Sequence, residues 1–174
     1  TGVMGSGSAG FHTGILVSDT NSKITSNGGN VSVTGTSVQG GPGLLVELGG
    51  RITAGGTGSV AVMGTGGNAG GGSSPGVVVG MNSGIQSSGG NVQVTGIGVN
   101  GGSAGTGYGV QVLDGGQITA GSSGTVTVTG TGGSGSGGSN HGVFVTGTSS
   151  QISSSGGGVS VTGTAGGGSS TALV

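Results

Sequence analysis

The chain has 174 residues, 53 of them glycine, and a net charge of −1 with only 3% charged residues. Collagen is excluded, because glycine does not recur at every third position and only two prolines are present. Two basic residues are too few to bind nucleic acid or an anionic membrane surface. The absence of cysteine excludes a disulfide framework, and no apolar run approaches the roughly 18 residues of a membrane-inserted helix.

A block of about thirty residues occurs five times along the chain with its apolar positions intact. Each block opens with Gly-Φ-x-Val, continues with an isolated isoleucine and Gly-x-Val-x-Val-x-Gly, and ends in a Gly/Ser tract. The isolated isoleucines are Ile24, Ile52, Ile85, Ile118 and Ile152. The paired valines are Val31 and Val33, Val60 and Val62, Val92 and Val94, Val126 and Val128, and Val159 and Val161. Such self-similarity is typical of a repeat architecture.

Each block contains three predicted β-strands, which the first block shows in chain order. The strand after Gly14 and the strand that carries Val31 and Val33 both have the two-residue period of a pleated strand. Between them lies a short segment around Ile24. The first and third strands are rich in β-branched residues, which suit a pleated surface. No segment has a 3.6-residue period, so we predict no helix.

Three strands per block with identical residues in register predict an all-β parallel β-solenoid of about five coils plus partial end coils. Equivalent strands would stack about 4.8 Å apart, with the isoleucine and valine columns as inward core ladders. Coils are expected to begin near residues 14, 43, 76, 109, 142 and 171. Residues 1–174 then form one solenoid segment. Because the pattern starts and stops inside a block, we expect an excerpt of a longer repeat protein, or a unit that stacks with copies of itself.

Two glycine columns flank the paired valines in every block. They are Gly29, Gly58, Gly90, Gly124 and Gly157 before the pair, and Gly35, Gly64, Gly96, Gly130 and Gly163 after it. Such columns predict either a positive φ or a close backbone approach. The Gly/Ser tract that follows varies in length, which predicts loops that protrude from one edge of the solenoid. The spacing from isoleucine to the first valine alternates, which indicates a genetic unit of two coils.

An apolar stripe is predicted on the outer face of the first strands. Its members are Leu16, Leu45, Val78, Gln111, Phe144 and Leu173, of which Gln111 alone is polar. Contiguous exposed apolar patches usually mark an interface. One hypothesis is that the stripe packs laterally against another fibre; the other is that the Gly/Ser loops of the same chain cover it.

The outward positions of the third strands contain one full Thr-x-Thr pair, Thr127 and Thr129. Regular Thr-x-Thr ladders resemble the faces of ice-binding proteins, but Ala61 and Met63 interrupt the pattern here. Threonine is also simply a good residue for an exposed strand. Ice binding is therefore kept as a remote alternative.

No constellation of residues points to catalysis, a metal or a cofactor, so the chain is not expected to be an enzyme. His12 and His141 are far apart and lack ligand partners in the sequence. The charged residues Asp19 and Lys23, and likewise Glu47 and Arg51, are four apart at the same corner of neighbouring coils, which predicts a small surface ion-pair cluster of little energetic value. Asp114 stands alone, and the glycosylation sequon at Asn30 opens a predicted strand.

The Gly-Φ-x-Val, Ile-Thr and Gly-x-Val-x-Val-Thr-Gly columns resemble those of bacterial surface β-solenoids, the filamentous-haemagglutinin-like adhesins and autotransporter passengers. The resemblance covers nearly the whole chain. It implies a right-handed parallel β-helix that is secreted or displayed on a bacterial cell surface as a stalk, adhesin shaft or matrix fibre. No functional residue carries over from that family.

Two functions stay open. The first is a structural extracellular fibre or cell-surface stalk that associates with copies of itself, end to end or laterally. The second is an adhesin shaft whose variable loops or Ser/Thr face engage carbohydrate or a host surface. Aromatic side chains usually mark sugar binding, and only Phe11, Tyr108 and Phe144 are available, which favours the fibre.

Overall fold

The computed structural model describes residues 2–3, 12–68, 72–99, 105–136, 139–168 and 170–173. These residues form β-strands, turns and extended segments, and they contain no helix. The strands are β1 (Gly2–Val3), β2 (Ile15–Ser18), β3 (Lys23–Ser26), β4 (Val31–Thr36), β5 (Leu44–Glu47), β6 (Arg51–Ala54), β7 (Val60–Thr65), β8 (Val77–Val79), β9 (Gly84–Ser87), β10 (Val92–Ile97), β11 (Val110–Leu113), β12 (Gln117–Ala120), β13 (Val126–Thr131), β14 (Val143–Thr146), β15 (Gln151–Ser154) and β16 (Val159–Thr164).

The strands form three parallel sheets, and each coil contributes one strand to every sheet. Sheet I has the order β2-β5-β8-β11-β14, sheet II β3-β6-β9-β12-β15, and sheet III β1-β4-β7-β10-β13-β16. Equivalent residues of successive blocks pair directly, as Ile52 does with Ile24 and Ile85. The predicted parallel β-solenoid with three strands per coil is therefore confirmed.

The core is a set of axial ladders enclosed by the three sheets. Ile52, Ile85 and Ile118 are completely buried. The paired valines Val31, Val33, Val60, Val62, Val92, Val94, Val126 and Val128 are also buried. Coverage falls at the outermost strands, where Ile24, Ile152 and Val161 are half-buried and Val159 is 47% exposed. These four residues lie on β3, β15 and β16, each of which pairs with one neighbouring strand within the described part of the chain.

Close backbone approach, and not a positive φ, explains the glycine columns beside the valine pairs except at Gly29, because none of these glycines has a φ in the left-handed region and all but Gly29 lie against neighbouring backbone. The glycine after the valine pair touches the glycine that opens the next coil in the first four blocks, and in the fifth block Gly163 touches Ala172. A Cβ on Gly96 would overlap the carbonyl oxygen of Gly109, and a Cβ on Gly109 would overlap the backbone of Thr131. The same contact joins Gly64 to Gly76. Each coil therefore closes where two bare backbones meet, at the edge between sheets III and I.

Left-handed residues lie instead at the corner between sheets I and II. Asp19, Leu48, Met81, Asp114 and Gly147 follow the sheet I strands in successive coils, and all have φ between 49° and 84°. Non-glycine residues rarely adopt this conformation. Its recurrence shows that the corner has one fixed geometry, which turns the side chains of Leu48 and Met81 out to solvent.

The Gly/Ser tracts stack on one another outside the glycine contact. The N–H of Gly67 donates to the Gly41 carbonyl at 3.1 Å, and the N–H of Gly133 donates to the Gly107 carbonyl at 2.7 Å. Ser74 is completely buried, and its Oγ accepts from the N–H of Gly41 at 3.2 Å. The described parts of these tracts form an ordered layer along one edge of the solenoid.

The alternating spacing from isoleucine to valine, which indicates a two-coil unit, has a structural cause at the end of the sheet II strands. The inward position there alternates between serine and alanine: Ser26, Ala54, Ser87, Ala120, Ser154. The Ser26 hydroxyl donates to the Gly29 carbonyl in its own turn. In the next coil alanine replaces serine, and the longer turn is held by the Gly58 N–H, which donates to the Gly55 carbonyl at 3.0 Å.

The glycine contact predicts a large difference between two glycine-to-alanine variants. Gly96→Ala should lower the free energy of unfolding by about 3 kcal/mol, because the new methyl group must push two backbones apart. Gly29→Ala is the matched control, since its Cβ would meet no atom within 4 Å and its φ is not positive. Urea denaturation followed by circular dichroism measures both. Equal stability of the two variants would contradict the close-contact explanation.

Candidate functional site

The outer face of sheet I carries the predicted apolar stripe in direct register. Leu16 pairs with Leu45, Leu45 with Val78, and Val78 with Gln111, which pairs in turn with Phe144. Leu16 is 55% exposed, whereas Val78 is only 9% exposed and the other three are half-buried. The stripe is therefore most exposed to solvent at its β2 end and least exposed in the middle, at Val78.

Leu173 does not belong to this stripe, and its assignment from the sequence is wrong. It forms a bridge with Val143, which points into the core, and not with Phe144. The reason is a shift of one residue in the last tract: the carbonyl of Ala172, not that of Thr171, accepts from the N–H of Val143. Ala172 thus occupies the position of the coil-opening glycine.

Three aromatic rings, those of Tyr108, His141 and Phe144, meet at the β14 end of the stripe. The ring of Phe144 stacks on that of Tyr108 with centroids 5.1 Å apart and 8° between the planes. His141 stacks on both rings, at 5.6 Å from Tyr108 and 5.5 Å from Phe144. Tyr108 and His141 stand at the returning ends of two tracts, so the tract ends cover part of the stripe. Phe11 lies outside the described residues.

A shallow polar cleft of about 450 Å³ lies on the outer face of sheet II. Its lining includes Thr53, Gln86, Gln117, Thr119, Gln151 and Ser153. Gly84 leaves a gap in the outer column of the sheet, between Arg51 and Gln117. The side chain of Gln86 folds over this gap, and its Nε2 donates to Oε1 of Gln117 at 3.3 Å. The floor of the cleft is uncharged and carries several amide and hydroxyl groups.

The ion-pair cluster expected from the sequence is not formed. Asp19 and Glu47 make no ion pair within 4.0 Å with Lys23 or Arg51. The left-handed corner separates the two acidic residues from the sheet II strands. On those strands Lys23 and Arg51 occupy equivalent positions of β3 and β6. Arg51 instead donates from Nη1 to the Asn82 carbonyl at 2.6 Å.

Neither histidine is part of a metal site in the described ranges, which hold no group of three or more potential ligands. Nδ1 of His141 accepts from the N–H of Thr171 at 2.9 Å, so this ring orders the next tract. Asn30, the residue of the sequon, also has a structural role: its Oδ1 accepts from the Ser59 N–H of the next coil at 2.9 Å.

Asn140 is a structural residue that the sequence did not single out. Its side chain is completely buried, and its Oδ1 accepts from the Gly107 N–H at 2.8 Å. Its Nδ2 donates to the carbonyls of Gly135 at 3.0 Å and Gly167 at 2.9 Å. One amide group thus joins the tracts of three successive coils. Its only sequence signal is that it is an asparagine inside a Gly/Ser tract.

Comparison with family models, with curated proteins and with solved structures finds no match to this chain. The described part of the chain contains no helix with the length and apolarity that a membrane crossing requires. The function must therefore be argued from the three outer faces of the solenoid.

Asn140→Ala should destabilise the tract layer, because the Gly107 N–H and two glycine carbonyls would lose a buried partner. We expect a loss of about 1–3 kcal/mol in the free energy of unfolding. Asn27→Ala is the control, since Asn27 is exposed in a turn. Hydrogen exchange resolved by mass spectrometry should show faster exchange of peptides that cover residues 105–107 and 166–167. Unchanged exchange there would contradict this role.

Proposed function

We propose that the chain is a structural rod, part of an extracellular fibre or a cell-surface stalk of the bacterial kind, that associates with copies of itself. The observation that supports this most is the continuity of the three parallel sheets, whose pairing runs unbroken from the first described coil to the last. Backbone hydrogen bonds between successive coils make such a rod stiff, and the number of coils sets its length. It acts by its shape, and we propose no catalytic role.

Core residues that are incompletely covered at the end of the rod support end-to-end growth. Val159 is 47% exposed, and Ile152 is half-buried, although both occupy core columns. A further coil would cover them, whether it came from the same protein or from another copy. Exposed strand edges of this type readily template additional strands.

The sheet I stripe supports lateral association as well. Leu16 is the most exposed member, and its neighbour Leu45 is half-buried, so together they present an apolar patch that is bordered by Glu47 on the same face of β5. A lateral contact would therefore be centred on the β2 and β5 end of the stripe, where Leu16 and Leu45 are accessible.

The fibre proposal predicts that Leu16→Ser with Leu45→Ser reduces side-by-side bundling of rods, because the variant removes the open part of the stripe. Met63→Ser is the matched control, since Met63 is 42% exposed but lies on sheet III. Negative-stain electron microscopy at equal concentration measures filament length and bundle width. Bundles of unchanged width in the double variant would contradict the lateral interface, and dispersed short particles of the parent chain would contradict the fibre.

A second candidate function, an adhesin shaft that binds neutral carbohydrate, is favoured by the sheet II cleft. Its glutamine and hydroxyl groups recur along the solenoid axis at the spacing of the strands, about 4.8 Å. An extended sugar chain that lies along the axis could form a similar hydrogen bond in each coil. The aromatic rings give less support to carbohydrate binding, because their faces stack on one another.

The adhesin alternative predicts glycan-array hits that Gln117→Ala with Gln151→Ala abolishes, because both amides line the cleft. Gln93→Ala is the control, since Gln93 is exposed on sheet III. An array without hits, or hits that survive the double variant, would reject the cleft as a carbohydrate site.

A further inference from the structure

Sheet III has an outer face whose two columns nearest the tracts are built almost entirely from threonine. The first column consists of the residues directly before the inward glycines: Thr34, Met63, Thr95, Thr129 and Thr162. The second, just beyond those glycines, is Thr36, Thr65, Ile97, Thr131 and Thr164. Eight of these ten positions are therefore threonine, and every coil contributes at least one. We call this surface the Thr-Gly-Thr face.

Within sheet III, threonine is concentrated in these two columns; one outward column of sheet II has three threonines in five positions, Thr25, Thr53 and Thr119. The remaining outward column of sheet III reads Ser32, Ala61, Gln93, Thr127 and Ser160, with one threonine in five. High strand propensity would favour threonine equally at any exposed position of these strands. Propensity alone therefore does not account for the two columns. The Thr-x-Thr pattern in the sequence, Thr127 and Thr129, combines this irregular column with the first threonine column.

The geometry of the face is a rectangular lattice. Parallel strands place successive threonines of one column about 4.8 Å apart, and two residues along a strand place the columns about 6.6 Å apart. The glycine between each pair points inward and is buried, as Gly96 and Gly130 are. The two outward side chains of a coil therefore stand side by side on the same face of one sheet. Both spacings are close to the repeats of water oxygens on a prism face of hexagonal ice.

The hydroxyl groups of this face are available to water. Within the described residues, none of the eight threonine hydroxyls makes a hydrogen bond to another protein group. Sheet II behaves differently, because there Oγ1 of Thr53 donates to Oγ1 of Thr25 at 2.9 Å. Thr129, Thr131, Thr162 and Thr164 are exposed, and the other four threonines are half-buried.

The face also carries no charge. None of the five charged residues lies on sheet III: Glu47 ends the sheet I strand β5, Asp19 and Asp114 lie at the sheet I–II corner, and Lys23 and Arg51 lie on sheet II. A neutral array of methyl and hydroxyl groups matches the neutral, regularly spaced surface of a water crystal, whereas charged groups would orient nearby water around themselves and out of that lattice. We propose that the Thr-Gly-Thr face binds ice. This proposal is independent of the fibre proposal, because a single solenoid presents the whole lattice.

Ice affinity of the 174-residue chain tests the proposal. A fluorescently labelled sample is partitioned into a slowly growing ice hemisphere, and thermal hysteresis is measured on the same sample. The parent chain should enter the ice and show hysteresis. Thr129→Lys with Thr131→Lys should lose both, because two lysines break the lattice where it is most exposed. Gln117→Lys with Thr119→Lys is the matched control: it puts two lysines on sheet II of the same coil and should leave ice binding unchanged.

Circular dichroism and the thermal midpoint verify that each variant is folded. If the first variant fails to fold, Thr162→Lys with Thr164→Lys replaces it, because both residues are exposed on the outermost strand β16. A parent chain that stays in the liquid and shows no hysteresis would overturn the proposal. Equal ice binding by the folded lattice variant, or equal loss in the sheet II control, would overturn it as well.

Discussion

The coils of this solenoid depend on a contact between two backbones, which carry no side chains at four of its five occurrences. The glycine that follows the valine pair of one coil touches the glycine that opens the next, as Gly96 touches Gly109, and Ala172 replaces the opening glycine at the last contact. A side chain on Gly96 or Gly109 would separate sheets III and I and admit water to the valine ladders. Because the contact fixes both ends of the Gly/Ser tract, the tract can change in length without disturbing the strands. This explains how a chain so rich in glycine keeps a dry core and a constant register.

The tracts become an ordered layer because polar side chains join them from coil to coil. Ser74 and Asn140 are completely buried, and each accepts a hydrogen bond from the tract of the preceding coil. The solenoid thus presents three outer faces and a tract edge, and the chemistry of the faces differs. Sheet I is apolar, sheet II is polar and concave, and sheet III carries the threonine lattice. A rod with distinct faces can associate with copies of itself through one face and leave another exposed to a different partner.

The sequence predicted the coils well because each strand repeats the same inward residues in the same order. Ile52, Ile85 and Ile118 fix the register of sheet II, and the paired valines fix that of sheet III. The tract before Leu173 has no such column to fix its length, and the sequence therefore misplaces Leu173 by one residue. Spacing along the chain also misled at the corner, since Asp19 and Lys23 are separated by a left-handed turn that the sequence does not reveal. The meeting of Tyr108 and Phe144 depends on where a tract returns, which composition cannot specify.

Hydrogen exchange at the coil-opening glycines tests the central claim most directly. The N–H groups of Gly43, Gly76 and Gly109 donate to the carbonyls of Pro75, Tyr108 and His141, in the coils that follow. If closure at the glycine contact holds each coil together, these amides should exchange as slowly as those of the valine strands when the native chain is followed by nuclear magnetic resonance. Rapid exchange at these three glycines beside slow exchange in the valine strands would show that the coils are open at this edge and would contradict the account.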